Sequence, residues 1–359
     1  MTRLTQRQLN RALLARQDLL ERTPDWHAAL HRHVALQAQE HIPPHTGLFA
    51  RVSGYATDML DGALARREVV RATSLRATIQ LSTAADYLEL QALMHPAFAA
   101  NLEGFLQDRE DHSEWLPVAR EALSDGAHGK RDIARLLDAA LPGHVDGTFM
   151  GHPVLPALGM VRVPRRPGGP HAGSRDLWSR GDLWLDTAFR EAADVHDMVL
   201  RYLAAFGPAS AQDMSVWAGI GGLAPVFADL RPVLTEHEGP DGRTLFDVPD
   251  APMPDPDTPA PVRIMAAYDN ALIGHLDRTR IMDADRRWAT MTKWAIGIDS
   301  VLNDGRIAGY LTWSRTGVEV HLLDARRTYD LDALEGEVLA LARTVRGIED
   351  PAYAVVDAD

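Results

Sequence analysis

The strongest constraint on the fold is a pattern that recurs along the first 250 residues: helix, turn, helix, then a pair of apolar strands. In "DMLDGALARREVV" (58–70) a helical stripe runs into "VVRATSLRATIQLS" (69–82), which alternates as a β-hairpin does. "WLPVAREALSDGAHGKRDIARLLDAAL" (115–141) spells helix, Gly-containing turn, helix. "ALGMVRVPRRPGGPHAGSRDLWSRGDLWL" (157–185) follows it as two strands around a Pro/Gly/Arg loop. A third copy opens at "DMVLRYLAAFGPASAQDMSVWAGI" (197–220), where Gly207-Pro208 breaks one helix and Ser210 caps the next. "VLTEHEGPDGRTLFDVP" (233–249) closes that copy as a hairpin turning at Asp241-Gly242.

Helix–turn–helix plus hairpin is the winged-helix plan, and its recurrence predicts three tandem units. No exact period is present, so the repeat is one of pattern. Upstream, Thr5 with Gln8 three residues on is a capping-box signal for a helix to about Glu21. Thr23 and Pro24 predict the start of a second helix, which Pro43 and Pro44 are expected to stop. Downstream, the proline-rich "DAPMPDPDTPAPVR" (250–263) reads as a semi-rigid spacer. Strand-like runs follow, turning at Asn303-Asp304-Gly305 and Arg315-Thr316-Gly317, with a closing helix near 331–346. The expected class is α+β: three winged-helix units (1–110 with flanking helices, 111–190, 191–250) and a small C-terminal β domain (251–359).

Composition narrows the chemistry. The 359 residues include no Cys, which excludes disulfides, thiolate zinc sites, iron–sulfur clusters and a cysteine nucleophile. No apolar run is long enough to span a membrane, and the N-terminus lacks a signal-peptide core, so a cytoplasmic location is expected. Net charge is −13, yet residues 1–82 carry eleven Arg against seven acids, and residues 126–185 eight basic residues against five acids. A whole-chain sum hides such basic segments, and steering follows the local field. Basic residues are thirty-five Arg and two Lys, Lys130 and Lys293. Arginine suits bidentate phosphate binding, and two lysines leave little for Schiff-base chemistry.

His27, His31 and His33 share the second predicted helix, but no Glu completes an HExxH frame, so no metal site is expected. No carboxylate pair stands in a recognisable frame, and no phosphate-binding GxxxxGK[ST] loop exists. Arg71 and Arg76 lie in the first hairpin, and Arg162, Arg165, Arg166, Arg175 and Arg180 crowd the second, where a wing would grip phosphates. The other reading of these arginines is solvated surface. "YDNALIGHLDRTRI" (268–281) packs Asp269, Asn270, His275, Asp277, Arg278 and Arg280 into fourteen residues, either a DNA-contacting site or a hydrogen-bonded turn. In "HVALQAQEHIPPH" (33–45), Gln37 continues the apolar stripe of Trp26, Leu30 and Val34. On a continuous helix Gln39 would lie about 200° away, whereas in extended geometry the two share a face. The glutamines read either as amides that tie down a helix end or as a site.

Four stretches carry a family resemblance: "LQAQ", "VVRATSLRATIQL", "LRYLAAFGPASAQDMSVWAG" and "PDPDTPAPVRIMAAYDNALIGHLDRTRI". Together they resemble the winged-helix DNA glycosylases of the AlkZ/YcaQ type over most of the chain. The family is marked by Gln, a small or apolar residue, then Gln or Asp, matched here by Gln37 and Gln39. The sequence departs from the family at the first hairpin. Ser74 and "LRATIQ" replace a common Trp and "MRGTxH", and Gln80 stands where a His is usual. "LIGHLDR" also differs from the commoner "LLSHADR".

The resemblance implies a C-shaped channel for double-stranded DNA, excision of alkylated bases, and in one branch the unhooking of interstrand crosslinks made through purine N7. It implies no cofactor. Gln37 and Gln39 would hold the attacking water, because an N7-alkylated purine is cationic and leaves without strong acid help. Tandem repeats in one chain suggest a monomer. The rival expectation is a non-catalytic winged-helix DNA-binding regulator, since fold does not fix function.

Overall fold

Thr5 opens the first helix by accepting from the Gln8 N–H while the Gln8 side chain accepts from the Thr5 N–H at 2.9 Å, the reciprocal cap its spacing predicts. The computed structural model describes residues 2–106, 115–140, 153–164, 177–286 and 297–357. A two-residue strand (β1, Thr2–Arg3) precedes that helix (α1, Gln6–Arg16), which ends short of Glu21. The second helix (α2, Trp26–Arg32) is capped by Asp25 rather than Thr23, its carboxylate accepting from the Ala28 N–H at 2.9 Å. It stops at Arg32, and the chain runs extended through β2 (Leu36–Gln37). Pro43 and Pro44 do not end a helix. They sit in the first turn of α3 (Ile42–Arg51), where a missing N–H costs little because those groups have no partner within the helix.

The chain divides into two compact units: residues 58–195, and residues 1–57 together with 196–359. In the 58–195 unit, α4 (Thr57–Ala65) leads into the expected hairpin, β3 (Val69–Thr73) and β4 (Ile79–Thr83), with Val69 opposite Thr83. A 23-residue helix, α5 (Ala84–Leu106), follows, then α6 (Trp115–Ala122) and α7 (Lys130–Ala140) as helix, turn, helix. After the short α8 (Val154–Ala157) come β5 (Met160–Val163), β6 (Leu177–Arg180) and α9 (Gly181–Leu185). Strands β4, β3, β5 and β6 lie side by side in that order, all antiparallel. Alternation sends Val70, Ala72, Val161 and Val163 to one face, where they pack on Tyr87 with Phe189 and Trp184.

In the other unit, α10 (Val195–Phe206) and α11 (Ala211–Ala218) flank the Gly207-Pro208 break, and Ser210 with Asp213 forms a second capping box. Tyr202, Phe206 and Trp217 stack as the aromatic core of this segment. After α12 (Ala224–Leu230), the hairpin of β7 (Thr235–Glu238) and β8 (Thr244–Asp247) turns at Gly242, and β1 adds in parallel to β7. No helix or strand interrupts 248–262, as its prolines predict. Beyond it, β9 (Arg263–Met265) and α13 (Asn270–Ile273) precede β10 (Ser300–Asn303), β11 (Arg306–Trp313) and β12 (Gly317–Leu322). The helix α14 (Leu331–Thr344) is the crossover that lets β13 (Ala352–Asp357) pair in parallel with β12. The sheet order is β13-β12-β11-β10-β9. The fold is thus mixed α+β, with helices and mainly antiparallel sheets alternating along the chain.

Candidate active site

The segment between α2 and β2 is strained. Val34, fully buried and β-branched, has φ +67°, and the Ala35 N–H donates to the His33 carbonyl across it at 2.8 Å. A bond from residue i+2 to i around a positive-φ residue is the rare, strained form of γ-turn. Such a conformation costs about 1–3 kcal/mol and persists only where its surroundings over-determine it. The surroundings here are specific. On the near side, the His33 Nε2 lies 3.0 Å from Asp18 Oδ2, and Arg32 donates to both Asp18 oxygens at 2.9 and 2.8 Å. Burial lowers the His33 pKa below its ordinary value, against the pull of Asp18. Burial pushes Asp18 upward, but the hydrogen bonds from His33 and Arg32 prevail and hold it below its ordinary value. On the far side, Asn270 donates its amide to the Ala35 carbonyl at 2.8 Å.

The turn delivers Leu36 and Gln37 in extended geometry. Gln37 is buried, at 6% exposure, and Gln39 is exposed in the bend that follows. A cleft of about 340 Å³ begins one residue later, walled by Glu40, Pro43, Tyr310, Trp313, Asp299 and Arg346. Neither glutamine lines it.

The polar run 268–281 is a hub. Asp269 takes both arms of Arg51 at 2.7 Å and accepts from the Ala271 N–H, so one carboxylate pairs a charge and caps α13. The Gly274 carbonyl accepts from Tyr202 at 3.0 Å, and His275 Nε2–H donates to the Phe206 carbonyl at 2.8 Å. Asp213 accepts from the Leu276 N–H at 3.0 Å, and Arg280 donates to the Pro208 carbonyl at 3.1 Å. Asp277 accepts from the Thr279 N–H and hydroxyl, both at 2.9 Å. His275 and Arg280 are buried, and burial with the Arg280 charge nearby lowers the His275 pKa to about 3. Arg278 is half-buried. These side chains bind the Gln37 segment, α3 and the α10–α11 break into one frame.

The hairpin arginines divide. Register places Arg71 opposite Arg162, and Arg162 opposite Trp178, so Arg71, Arg162 and Arg180 share the sheet face away from Val70 and Val161. All three are buried. Arg162 lies over the Trp178 ring at 5.0 Å, and Arg180 binds Asp182 and the Arg120 carbonyl. Arg76 is different: it sits half-buried at the hairpin tip with φ +56°. Arg165, Arg166 and Arg175 lie outside the described residues. His27 and His31 are exposed while His33 turns inward to Asp18, so the three do not meet at one point.

A model of the DNA glycosylase AlkZ-like family matches residues 30–344, which include both glutamines, the β3–β4, β5–β6 and β7–β8 hairpins and the 268–281 hub. The chain belongs to the AlkZ-like DNA glycosylases. No curated protein matches it in sequence. Among solved structures the glycosylase resembles the Streptomyces sahachiroi DNA glycosylase AlkZ, with a TM-score of 0.82 at 16% identity. The match covers 99% of this chain and 100% of that one. At that identity the likeness speaks for the fold.

Sequence reasoning missed the Asp18–His33 pair and Arg51, the partner of Asp269. Asp18 and Arg51 stand in no motif, and only the fold brings them beside the glutamine segment. His33 was visible, but as a metal-ligand candidate. A buried histidine three residues after Leu30 on the apolar side was the available signal.

Proposed function

We propose that this glycosylase is monofunctional and hydrolyses the N-glycosidic bond of N7-alkylated purines in double-stranded DNA, including purines tied into interstrand crosslinks. Gln37 and Gln39 hold the water. The observation that carries this reading is the buried Gln37, set on an extended segment by a strained turn, in a chain of a DNA glycosylase family. The water oxygen bonds to C1′ as the C1′–N9 bond breaks. The bond's electron pair neutralises the cationic base, which leaves as the neutral N7-alkylpurine, and one water proton passes to solvent. An amide oxygen accepts from that water and the NH₂ steadies neighbouring oxygens, without the charge a carboxylate would add. Purines with poor leaving ability are therefore poor substrates.

In this reading α4 with the β3–β4 hairpin, α6–α7 with β5–β6, and α10–α12 with β7–β8 are three winged-helix units that line a C-shaped DNA channel. An open channel that reaches the sugar without extruding the base suits a nucleotide tethered to both strands. The protein acts as a cytoplasmic monomer, in the setting of self-protection against a DNA-crosslinking natural product. The test is incubation with an N7-methylguanine duplex, then heating in alkali. Strand breaks that disappear in the Gln37→Ala/Gln39→Ala variant support the reading, and a wild-type rate in that variant sinks it. The same assay on a duplex crosslinked through N7, read as strand separation on a denaturing gel, tests unhooking.

A further inference from the structure

The glutamine segment enters its site through one residue that resists the conformation it holds. Val34 has no exposed surface, carries two methyl groups on Cβ, and sits at φ +67° within the His33–Ala35 bond. Left to itself, such a turn relaxes to an ordinary backbone, and the direction in which Gln37 is presented changes with it. Three side chains oppose that relaxation. Asp18 holds His33, and His33 is the residue before Val34. Asn270 holds the Ala35 carbonyl, the acceptor just beyond Val34. Asn270 is itself fixed at the start of α13, whose cap Asp269 is locked in the buried pair with Arg51. The chain from Arg51 through Asp269 and Asn270 to Ala35 is continuous, buried, and ends two residues from Gln37.

We propose that Asn270 is a positioning residue for catalysis. Its amide, acting against the His33–Asp18 pair across the γ-turn, fixes the strained backbone that aims Gln37, and it does not contact DNA. The inference rests on Gln37 being the water-holding residue. It also gives "YDN" a role beyond that of a turn: the asparagine supplies a donor that reaches a backbone carbonyl, which an aspartate at that position would lack.

The experiment is single-turnover excision from an N7-methylguanine duplex at saturating enzyme, with duplex affinity measured separately. Variants Asn270→Ala and Val34→Gly address the turn through its clamp and through its strain. Glycine adopts positive φ freely, so Val34→Gly removes the strain that Asn270 opposes. Asn270→Ala is expected to lose at least tenfold in the single-turnover rate while duplex affinity stays within twofold, and adding Val34→Gly to it is expected to recover part of that rate. Combined with Gln37→Ala, Asn270→Ala is expected to cause no further loss. A folded Asn270→Ala variant with the wild-type rate overturns the proposal. So does an Asn270→Ala defect that resides wholly in affinity, since that marks a DNA contact. If Gln37→Ala itself retains the wild-type rate, the reading of Gln37 fails, and that result is separable because it needs neither positioning variant.

Discussion

Arg51 and Asp269 meet in a two-armed pair, Nη1 to Oδ2 and Nη2 to Oδ1 both at 2.7 Å, with neither side chain open to solvent. The guanidinium also donates to the Gly47 carbonyl at 3.0 Å, and the carboxylate also accepts from the Ala271 N–H. Removing one partner strands a dry charge, which costs about 3–5 kcal/mol. Asp269→Ala is therefore expected to lower unfolding free energy by about that amount in urea titrations. The double variant Arg51→Met/Asp269→Leu should recover part of it. A single-variant loss below about 1 kcal/mol would show that the pair is hydrated in solution.

His275 makes stability depend on acidity. Its folded pKa of about 3 lies below the ordinary 6.5, because burial and the neighbouring Arg280 charge outweigh Asp213, the Phe206 carbonyl and Asp277, which favour a proton. The unfolded chain therefore binds a proton that the native state refuses. The stabilisation is complete above about pH 6.5 and is lost as pH falls toward 3, at about 1.4 kcal/mol per pH unit. His33, also lowered by burial, adds in the same direction. Urea unfolding at several pH values between 7 and 4 should show this decline, shallower in a folded His275→Gln variant. Parallel profiles for the two proteins would refute the assignment to His275.

Much of the fold was legible because its signals are local. Thr5/Gln8 and Ser210/Asp213 cap helices, Asp241-Gly242 and Asp304-Gly305 turn hairpins, and alternation set the strands at 69–82. Where tertiary contacts decide, the local reading failed. Thr23 looked like a cap, but Asp25 takes that role while the Thr23 N–H and carbonyl bond the backbone of Arg51 and Ser53. The prolines after Gln39 read as a stop signal, though proline at a helix start is equally common and only the extended stretch before it distinguishes the two. That stretch depends on Val34 at φ +67°, which no propensity would place at a β-branched residue. The density of 268–281 read either as a DNA-contacting site or as a hydrogen-bonded turn, and the pattern alone did not tell that Asn270, His275 and Arg280 turn inward.

Burial sorts the hairpin arginines by the effect their loss should have. Among the described arginines of the first two hairpins, Arg76 is half-buried at a tip, whereas Arg71, Arg162 and Arg180 are buried. Arg76→Ala is expected to weaken binding to undamaged duplex several-fold and to reduce the slope of log affinity against log salt by about 1. Arg71→Ala and Arg162→Ala remove buried side chains that face each other across β3 and β5, so their main effect should be on stability. Titrations at three salt concentrations, paired with thermal melts, distinguish the two outcomes. An unchanged salt slope in Arg76→Ala would remove that residue from the DNA surface.

Lysine scarcity bears on mechanism. A bifunctional glycosylase needs an amine to attack C1′, and this chain offers Lys130, Lys293 and its N-terminus. Lys130 opens α7 in the 58–195 unit, whereas Gln37 belongs to the other. Lys293 lies outside the described residues. In the proposed mechanism, water held by the glutamines leaves an intact abasic site and no covalent enzyme–DNA intermediate. Borohydride added during turnover of an N7-methylguanine duplex should therefore trap no adduct, and strands should break only after alkali. A borohydride-trapped complex that disappears in Lys130→Ala or Lys293→Ala would replace the water mechanism with a Schiff base.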